Sequence, residues 1–458
     1  MRFRRFWAVC FFLWDLTFRL IPLQLYAQPS TTPTLLGYFH NWNFAPAPYL
    51  PLTQIPPDYN LIAVAFALPT GGTDYRISFI PELVSPSQFR LQMQTVQSQG
   101  RKIILSVGGA TAPITLNNTL ERDSFVASLN RILIDYPFDG IDLNLEGASL
   151  QVSQGSSIQY PTDTPILMMA GAVRQLMSDF RTRNNRRMLL TMAPETAYVQ
   201  GGQSAFSGVW GAYLPLIHAL RDSIHLLSVQ LYNSGSMYGL DGGIYHQGTA
   251  DFIVAMVEAV IRGFSTSGGF FGGLRADQVA IALPACPLAA GGGYTDSASV
   301  RAATRYLRGT APQPGSYTRL QAGGYPALGG MMTWSINWDA ATGCATPWEY
   351  IRNFRAGFEI INTGVDFAQS KEIKVYPNPV HSVLLLDIPE SEWNGLSMDK
   401  RVSLQLFDSF GQCIREEWGL PGVNRWEMDK LPAGLYFLRT GNRILRIVKV
   451  NSNATGGG

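Results

Sequence analysis

Cysteine, histidine and charge are all scarce in this chain. Of 458 residues, four are Cys, five are His, and 15% carry a charge. The histidines, at 40, 218, 225, 246 and 381, are too scattered to suggest a metal site. Basic and acidic residues nearly cancel, 35 against 33. That balance gives no electrostatic case for nucleic acid or an anionic membrane as partner. No strand-like run carries a Gly-rich dinucleotide fingerprint, and no internal repeat is visible. Beyond the N-terminus, no stretch has the length and apolarity to span a bilayer.

What is present begins with "MRFRRFWAVCFFLWDLTFRLIPLQLYAQPS". Arg2, Arg4 and Arg5 precede an apolar run from Phe6 to Trp14, and Ala27 supplies a small residue before Gln28. This is the layout of a cleaved secretory signal over residues 1–27. Asp15 and Arg19 interrupt the apolar stretch and argue against a membrane anchor. Cleavage removes four Arg and one Asp and changes the net charge from +2 to −1. It also removes Cys10, leaving Cys286, Cys344 and Cys413 on an export route that permits disulfides. Cys286 and Cys344 pair if their loops are neighbours; otherwise all three are buried free thiols.

Hydrophobic residues make up 46% of the chain, enough to fill one large and one small core. From residue 28 to 366, short apolar strands alternate with helix-period stretches. The strands read "LLGYFHNW" (35–42), "NLIAVAFAL" (60–68), "KIILSVGG" (102–109) and "FDGIDLNLEG" (138–147), then "MLLTMAPE" (188–195), "HLLSVQLYN" (225–233), "QVAIALPA" (278–285) and "GGMMTWSINW" (329–338). Eight such strands, each buried on both faces and most followed by a helix, predict an α/β fold of the (β/α)8 TIM-barrel type. The stretch between the second and third strands is helix-poor. Polar and aromatic residues gather at the C-terminal ends of the strands: Trp42, Ser106, Glu146, Glu195, Tyr232, Asn233 and Trp334. In a barrel those ends form the active face.

The fourth strand holds the chemistry. Its side chains alternate sides, so Asp142, Asn144 and Glu146 share the interior face while Ile141, Leu143 and Leu145 point outward. Neighbours on one face lie about 6.5–7 Å apart, so the polar row climbs from the interior to the mouth. Burial and a second carboxylate both raise a carboxyl pKa, which suits Glu146 to be a general acid. Asp139, beside the Gly140 turn, reads as a structural acid.

"DGIDLNLE" resembles the Asp-Gly-x-Asp-x-Asp-x-Glu signature of family 18 glycoside hydrolases, the chitinases and endo-β-N-acetylglucosaminidases. "KIILSVGG" is similar to their third-strand Ser-x-Gly-Gly element, and "LTMAPE", "VQLYN" and "MTWSINW" to their fifth, sixth and eighth strands. "YVQGG", "GSMYGLDGG", "GLRADQVAIALPA" and "AAGGGYT" look like bacterial chitinases of the D type. The likeness spans roughly residues 33–362. It implies that Glu146 protonates the glycosidic oxygen and that the substrate's own 2-acetamido carbonyl attacks, the substrate-assisted exception among retaining glycosidases. It further implies that Asp142 and position 144 serve catalysis and that Tyr232 holds the acetamido carbonyl. Trp334 would floor the pocket with Gln230 and Asn233 beside it. Tyr38 and Ser106 would support the acids, and Met192 would form pocket wall. No cofactor or metal is implied. The expected partner is chitin or an N-acetylglucosamine (GlcNAc) oligosaccharide, bound by a monomer. Trp42, Trp338 and Tyr294 suit either outer subsites or packing.

Asn144 departs from that pattern, because the family has Asp there. Asn still accepts a hydrogen bond but supplies no negative charge, and a charge-assisted bond is roughly twice as strong as a neutral one. Losing one electrostatic interaction of this kind costs about 10²–10³ in turnover. The sequence therefore fits a slowed or altered chitinase, and alternatively a weakly catalytic GlcNAc-binding lectin or an endo-β-N-acetylglucosaminidase. Retention of Glu146 favours the enzyme, since a pure binder needs no proton donor.

After residue 366 the pattern changes to short alternating strands with no helical period, an all-β sandwich over 371–451, followed by a tail at 452–458. Tyr376-Pro377-Asn378-Pro379 and Leu431-Pro432-Ala433-Gly434-Leu435-Tyr436 resemble the opening and closing motifs of type IX secretion sorting domains. That likeness implies a Bacteroidota-type bacterium, periplasmic passage and delivery outside the cell or to the outer-membrane surface by the type IX secretion machinery. Trp393, Trp418 and Trp426 fit a sugar-binding sandwich as the alternative.

Overall fold

The computed structural model describes residues 32–71, 75–360, 374–388, 402–409, 411–420, 422–440 and 443–451. The expected signal, the 452–458 tail and Trp393 lie outside these residues. The chain divides into two units at Ile360/Ile361.

The first unit is the eight-stranded parallel barrel. Its strands are β1 (Thr34–His40), β2 (Leu61–Pro69), β3 (Lys102–Gly108), β4 (Gly140–Asn144), β5 (Leu189–Met192), β6 (Leu226–Leu227), β7 (Ala280–Pro284) and β8 (Gly330–Trp334). They pair in the order β7-β8-β1-β2-β3-β4-β5-β6. Parallel bridges Leu227↔Val279 and Gln230↔Ala282 join β6 to β7 and bring the barrel round almost to closure. Helices α1 (Pro86–Ser98), α2 (Thr119–Asp135), α3 (Thr164–Asn184), α4 (Leu214–Leu220), α5 (Ala250–Arg262) and α6 (Ser297–Arg308) follow β2 to β7 in turn. The ring ends with α7 (Ile336–Ala340) and α8 (Glu349–Phe358) after β8. Only a 3-10 turn, Leu52–Gln54, connects β1 to β2. The stretch after β2 does carry a helix, α1. Ser85 caps it through the Gln88 N–H, Gln88 answers in a capping box, and Pro86 takes the first helical position.

Two cores follow from the strand alternation. Outward side chains, including Ile141, Leu143 and Leu145, join the apolar shell beneath the helices. Each contributes about 1.5–3 kcal/mol by leaving water. Inside the barrel, Ala63, Ala65, Ala193, Ala280 and Ala282 keep the lining thin and leave room for Tyr38 and Asp142. The eighth strand ends sooner than its sequence suggests. Ser335 caps α7 by accepting from the Trp338 N–H, so 336–340 is helical and Trp338 is carried behind the pocket wall. There Cys286 and Cys344 form a disulfide with a Cα–Cα distance of 5.8 Å, packed with Trp338 and Ala289. Among the described residues Cys413 alone is a free cysteine, and it is exposed.

The second unit holds two antiparallel sheets. Strands β9 (Lys374–Tyr376), β10 (Val383–Ile388) and β13 (Gly422–Glu427) form one. Strands β12 (Cys413–Gly419), β11 (Val402–Phe407), β14 (Gly434–Thr440) and β15 (Arg443–Lys449) form the other, in that spatial order. A single small core around Leu384, Leu386, Leu406, Trp426 and Leu438 unites them. Asn378 brackets β15, donating to the Arg446 carbonyl and accepting from the Val448 N–H. The Tyr436 hydroxyl closes its own turn onto the Pro432 carbonyl. Both sequence motifs of this segment thus have a structural task at the sheet's ends. Trp426 is core, whereas Trp418 is exposed.

Candidate active site

Ser106, Asp142 and Thr191 are register partners on β3, β4 and β5, so one rung of the barrel sets two hydroxyls beside a carboxylate. Ser106 Oγ donates to Asp142 Oδ2 at 2.7 Å, and Thr191 Oγ1 donates to Oδ1 at 2.6 Å. Tyr38 reaches from β1 and donates its hydroxyl to Oδ2 at 2.6 Å. Asp142 is fully buried, and burial raises its pKa while the three hydroxyls work in the opposite direction.

One step up the strand, Asn144 Oδ1 accepts from Gln230 Nε2 at 3.1 Å. The same Gln230 nitrogen donates to Glu146 Oε1 at 2.9 Å and to the Ala193 carbonyl at 2.9 Å. Burial raises the Glu146 pKa above the usual carboxylate range. The Gln230 bond opposes that shift, the Glu195 charge adds to it, and Asn144 and Asp142 make smaller opposed contributions. The backbone that presents this row depends on glycine. Gly108 and Gly109 both have positive φ, and a Cβ on Gly108 would lie 2.5 Å from the Asn144 carbonyl oxygen. Gly109 N–H donates to that same oxygen at 2.7 Å.

Glu146 opens into a cavity of about 430 Å³ whose walls include Tyr232, Asn233, Gln230, Trp334, Trp42 and Phe66. Burial and the charges of Glu146 and Asp142 push the Tyr232 phenol well above its usual pKa, so it remains a neutral donor. An aromatic wall closes one side. Phe66 stacks on Trp334 at 5.8 Å, Tyr38 packs on Trp334 at 5.6 Å, and His40 stacks on Trp42 at 4.6 Å. Burial lowers the His40 pKa to about 4, and its Nε2 meets Ser335 Oγ at 2.8 Å. A second hollow of about 660 Å³ adjoins the first through Leu68 and Thr111 and runs past Tyr75, Thr115 and Ala148. It is the larger of the two, but it holds none of the acids.

Nine of the ten residues singled out from the sequence meet here: seven line the cavity, Asp142 lies one hydrogen bond behind it through Tyr38, and Ser106 lies one further behind through Asp142. Met192 is the correction. Because Thr191 faces inward to Asp142, its neighbour on β5 must face outward, and Met192 lies in the shell core beneath the helices. Trp42 lines the cavity, Trp338 packs behind it, and Tyr294 bonds Glu349. Thr191, Phe66 and Tyr198 were not singled out. Thr191 follows from strand register, whereas Phe66 reads as ordinary core in its strand. Glu195 had been noted only as a polar strand end. Its charge helps raise the Glu146 pKa, and Tyr198 in the following turn donates its hydroxyl to the Gly147 carbonyl.

Asp142, Asn144 and Glu146 thus rise in a row through the interior of a TIM barrel to an aromatic-walled mouth. The chain belongs to glycosyl hydrolases family 18, whose profile matches residues 34–312; residues 374–450 match a secretion system C-terminal sorting domain. It is 44% identical over 318 residues to Chitinase Chi52 of Paenibacillus xylanexedens, covering 69% of this chain and 60% of that one. It is also 44% identical over 319 residues to Chitinase D of Niallia circulans, with the same coverage, 69% and 60%. The chain thus spans about 60% of the length of these curated relatives. Among solved structures, a family GH18 chitinase from Chromobacterium violaceum superposes with a TM-score of 0.64 at 36% identity, covering 71% of this chain and 83% of that one.

Proposed function

We propose that the protein is a chitinase, hydrolysing β-1,4 bonds in chitin or related GlcNAc glycans by retaining, substrate-assisted catalysis. One observation carries this reading: Glu146 is the only carboxylate among the described residues lining the cavity. Asp142 is sealed beneath it with both oxygens bound by hydroxyls. A retaining glycosidase with two carboxylates needs an acid and a nucleophile flanking the bond, and this cavity offers an acid alone. The substrate's 2-acetamido carbonyl fills the vacant role.

In this mechanism Glu146, protonated by virtue of its raised pKa, gives its proton to the glycosidic oxygen as the bond to the anomeric carbon breaks. The acetamido carbonyl oxygen attacks that carbon from the opposite face and forms an oxazolinium-like intermediate. Tyr232 donates to the carbonyl oxygen and holds it in line. Trp334 lies under the sugar ring, where its face offers stacking area. Water, deprotonated by the Glu146 carboxylate, then opens the intermediate with net retention. Asn144 accepts the acetamido N–H without adding charge, so turnover is slow beside an enzyme with Asp there. A second reading, a GlcNAc-binding protein with little turnover, draws its support from Asn144.

The test is a time course on GlcNAc oligomers for the wild type and Glu146→Gln. The wild type should release shorter oligomers, and the variant should lose about 10²–10⁴ in rate. Binding by both proteins with turnover by neither would favour the second reading. The C-terminal unit, by its sorting-domain match, is the proposed address for type IX export from a Bacteroidota-type cell. Deleting residues 371–458 should leave the barrel in the periplasmic fraction, and normal export without them would refute this.

A further inference from the structure

His40 ends β1 and has no part in the chemistry set out above. It is 2% exposed and lies behind the cavity rather than on it. Its ring bears on two of the rings that line the wall. It stacks on Trp42 at 4.6 Å with 7° between the planes, and it leans on Trp334 at 5.0 Å and 45°. The two tryptophans meet each other only at 6.4 Å. Phe66 touches the same pair from farther off, at 6.1 and 5.8 Å, and itself lines the cavity. The imidazole is therefore the closest ring to both indoles among the described residues, and it supports them from the protected side.

Two residues that follow β8 hold His40 in turn. Ser335 Oγ meets its Nε2 at 2.8 Å, and Asn337 Oδ1 accepts its backbone N–H at 2.8 Å. Both are fully buried. Ser335 directly follows Trp334, and His40 stands two positions before Trp42. Asn337 also donates to the Pro48 carbonyl at 3.0 Å, which ties the loop carrying Trp42 to the same turn. The end of β1 and the start of α7 are thus fastened through one residue, with a cavity-lining tryptophan close to either side of the fastening. His40 Nδ1 is buried without a partner among the described residues. The side chain makes one hydrogen bond and two ring contacts, so its flat face is the part that bears on the wall.

We propose that His40 is a positioning residue for substrate binding: its ring holds Trp42 and Trp334 at a fixed tilt and so sets the surface on which sugar stacks. The inference rests on the reading of this cavity as the sugar site. Removing the ring opens a hollow on the protected side, into which either indole can turn. Both then lose the stacking partner that fixes their planes. Stacking serves bound substrate and transition state alike, so the loss falls on binding, and KM rises while kcat is kept.

The experiment is steady-state kinetics on a GlcNAc oligomer for the wild type, His40→Ala, His40→Gln and His40→Phe, with thermal midpoints measured alongside. Ala removes the ring. Gln removes it but keeps a polar partner for Ser335, whereas Phe keeps a flat ring and gives up the hydrogen bond. KM should rise about 3-fold to 10-fold in the Ala and Gln variants, with kcat within about 2-fold of the wild type. Phe should bring KM back to the wild-type value. An unchanged KM in His40→Ala, whatever its stability, overturns the proposal, and so does a KM raised as far by Phe as by Ala. If the Ala variant fails to fold, the Gln and Phe pair decides by the same contrast. Binding of the oligomer without turnover would sink the hydrolase reading alone, and calorimetric Kd then replaces KM with the same expected pattern. Neither turnover nor binding by the wild type would overturn the sugar-site reading and this inference with it.

Discussion

Glu146 and Glu258 are both carboxylates drawn into the barrel unit, and they have opposite surroundings. Glu258, on α5, is fully buried and accepts from four groups. Tyr325 donates its hydroxyl at 2.6 Å and Tyr317 at 2.8 Å, and the N–H groups of Leu320 and Gln321 complete the set. It ties the 317–325 loop to the helix and has no face toward the cavity. Glu146 accepts one side-chain hydrogen bond, from the Gln230 amide, and opens onto a cavity large enough for sugar. A buried acid saturated with donors is a fastening. One that is short of donors and exposed on one side can exchange a proton.

Substitutions should separate the two. Glu146→Gln should abolish most turnover, a loss of about 10²–10⁴, and leave the thermal midpoint within a degree or two. Glu258→Ala should do the reverse. Four donors lose their acceptor, at a cost of about 3–5 kcal/mol in urea unfolding, with kcat/KM retained below the transition. Full stability with lost activity in Glu258→Ala would erase the contrast.

A finer probe lies within the Glu146 site itself. Asn144→Asp should raise the hydrolytic rate by about 10-fold to 10³-fold, because it restores a charge facing the positive charge that grows on the ring. It should also carry the alkaline limb of the pH profile upward, since a like charge disfavours ionisation of Glu146. An unchanged or slower rate would show that this site has come to work without charge at that position.

The same contrast explains what was legible in the sequence. The alternation in "DGIDLNLE" fixes which side chains enter the barrel, because a strand's period is two. The eight apolar strands were legible for the same reason. Register between strands has no such signature. The family resemblance put Met192 in the pocket wall, whereas the rung shared by Ser106, Asp142 and Thr191 turns it outward. Glu195 stands past the end of β5, where the chain enters a 3-10 turn and periodicity stops. Nothing local ties it to Glu146, 49 positions earlier, whose pKa its charge helps raise. The Cys286–Cys344 pairing was one of two options until the loops carrying them were seen side by side.

The central claim is that Glu146 supplies the proton and the substrate's own amide arm supplies the nucleophile. It is tested most directly by comparing initial rates on two oligomers of equal length, one fully N-acetylated and one with free amines. The account predicts cleavage of the acetylated oligomer, with β-configured product seen first by proton NMR, and no measurable cleavage of the other. Equal rates on the two, or α-configured first product, would contradict it.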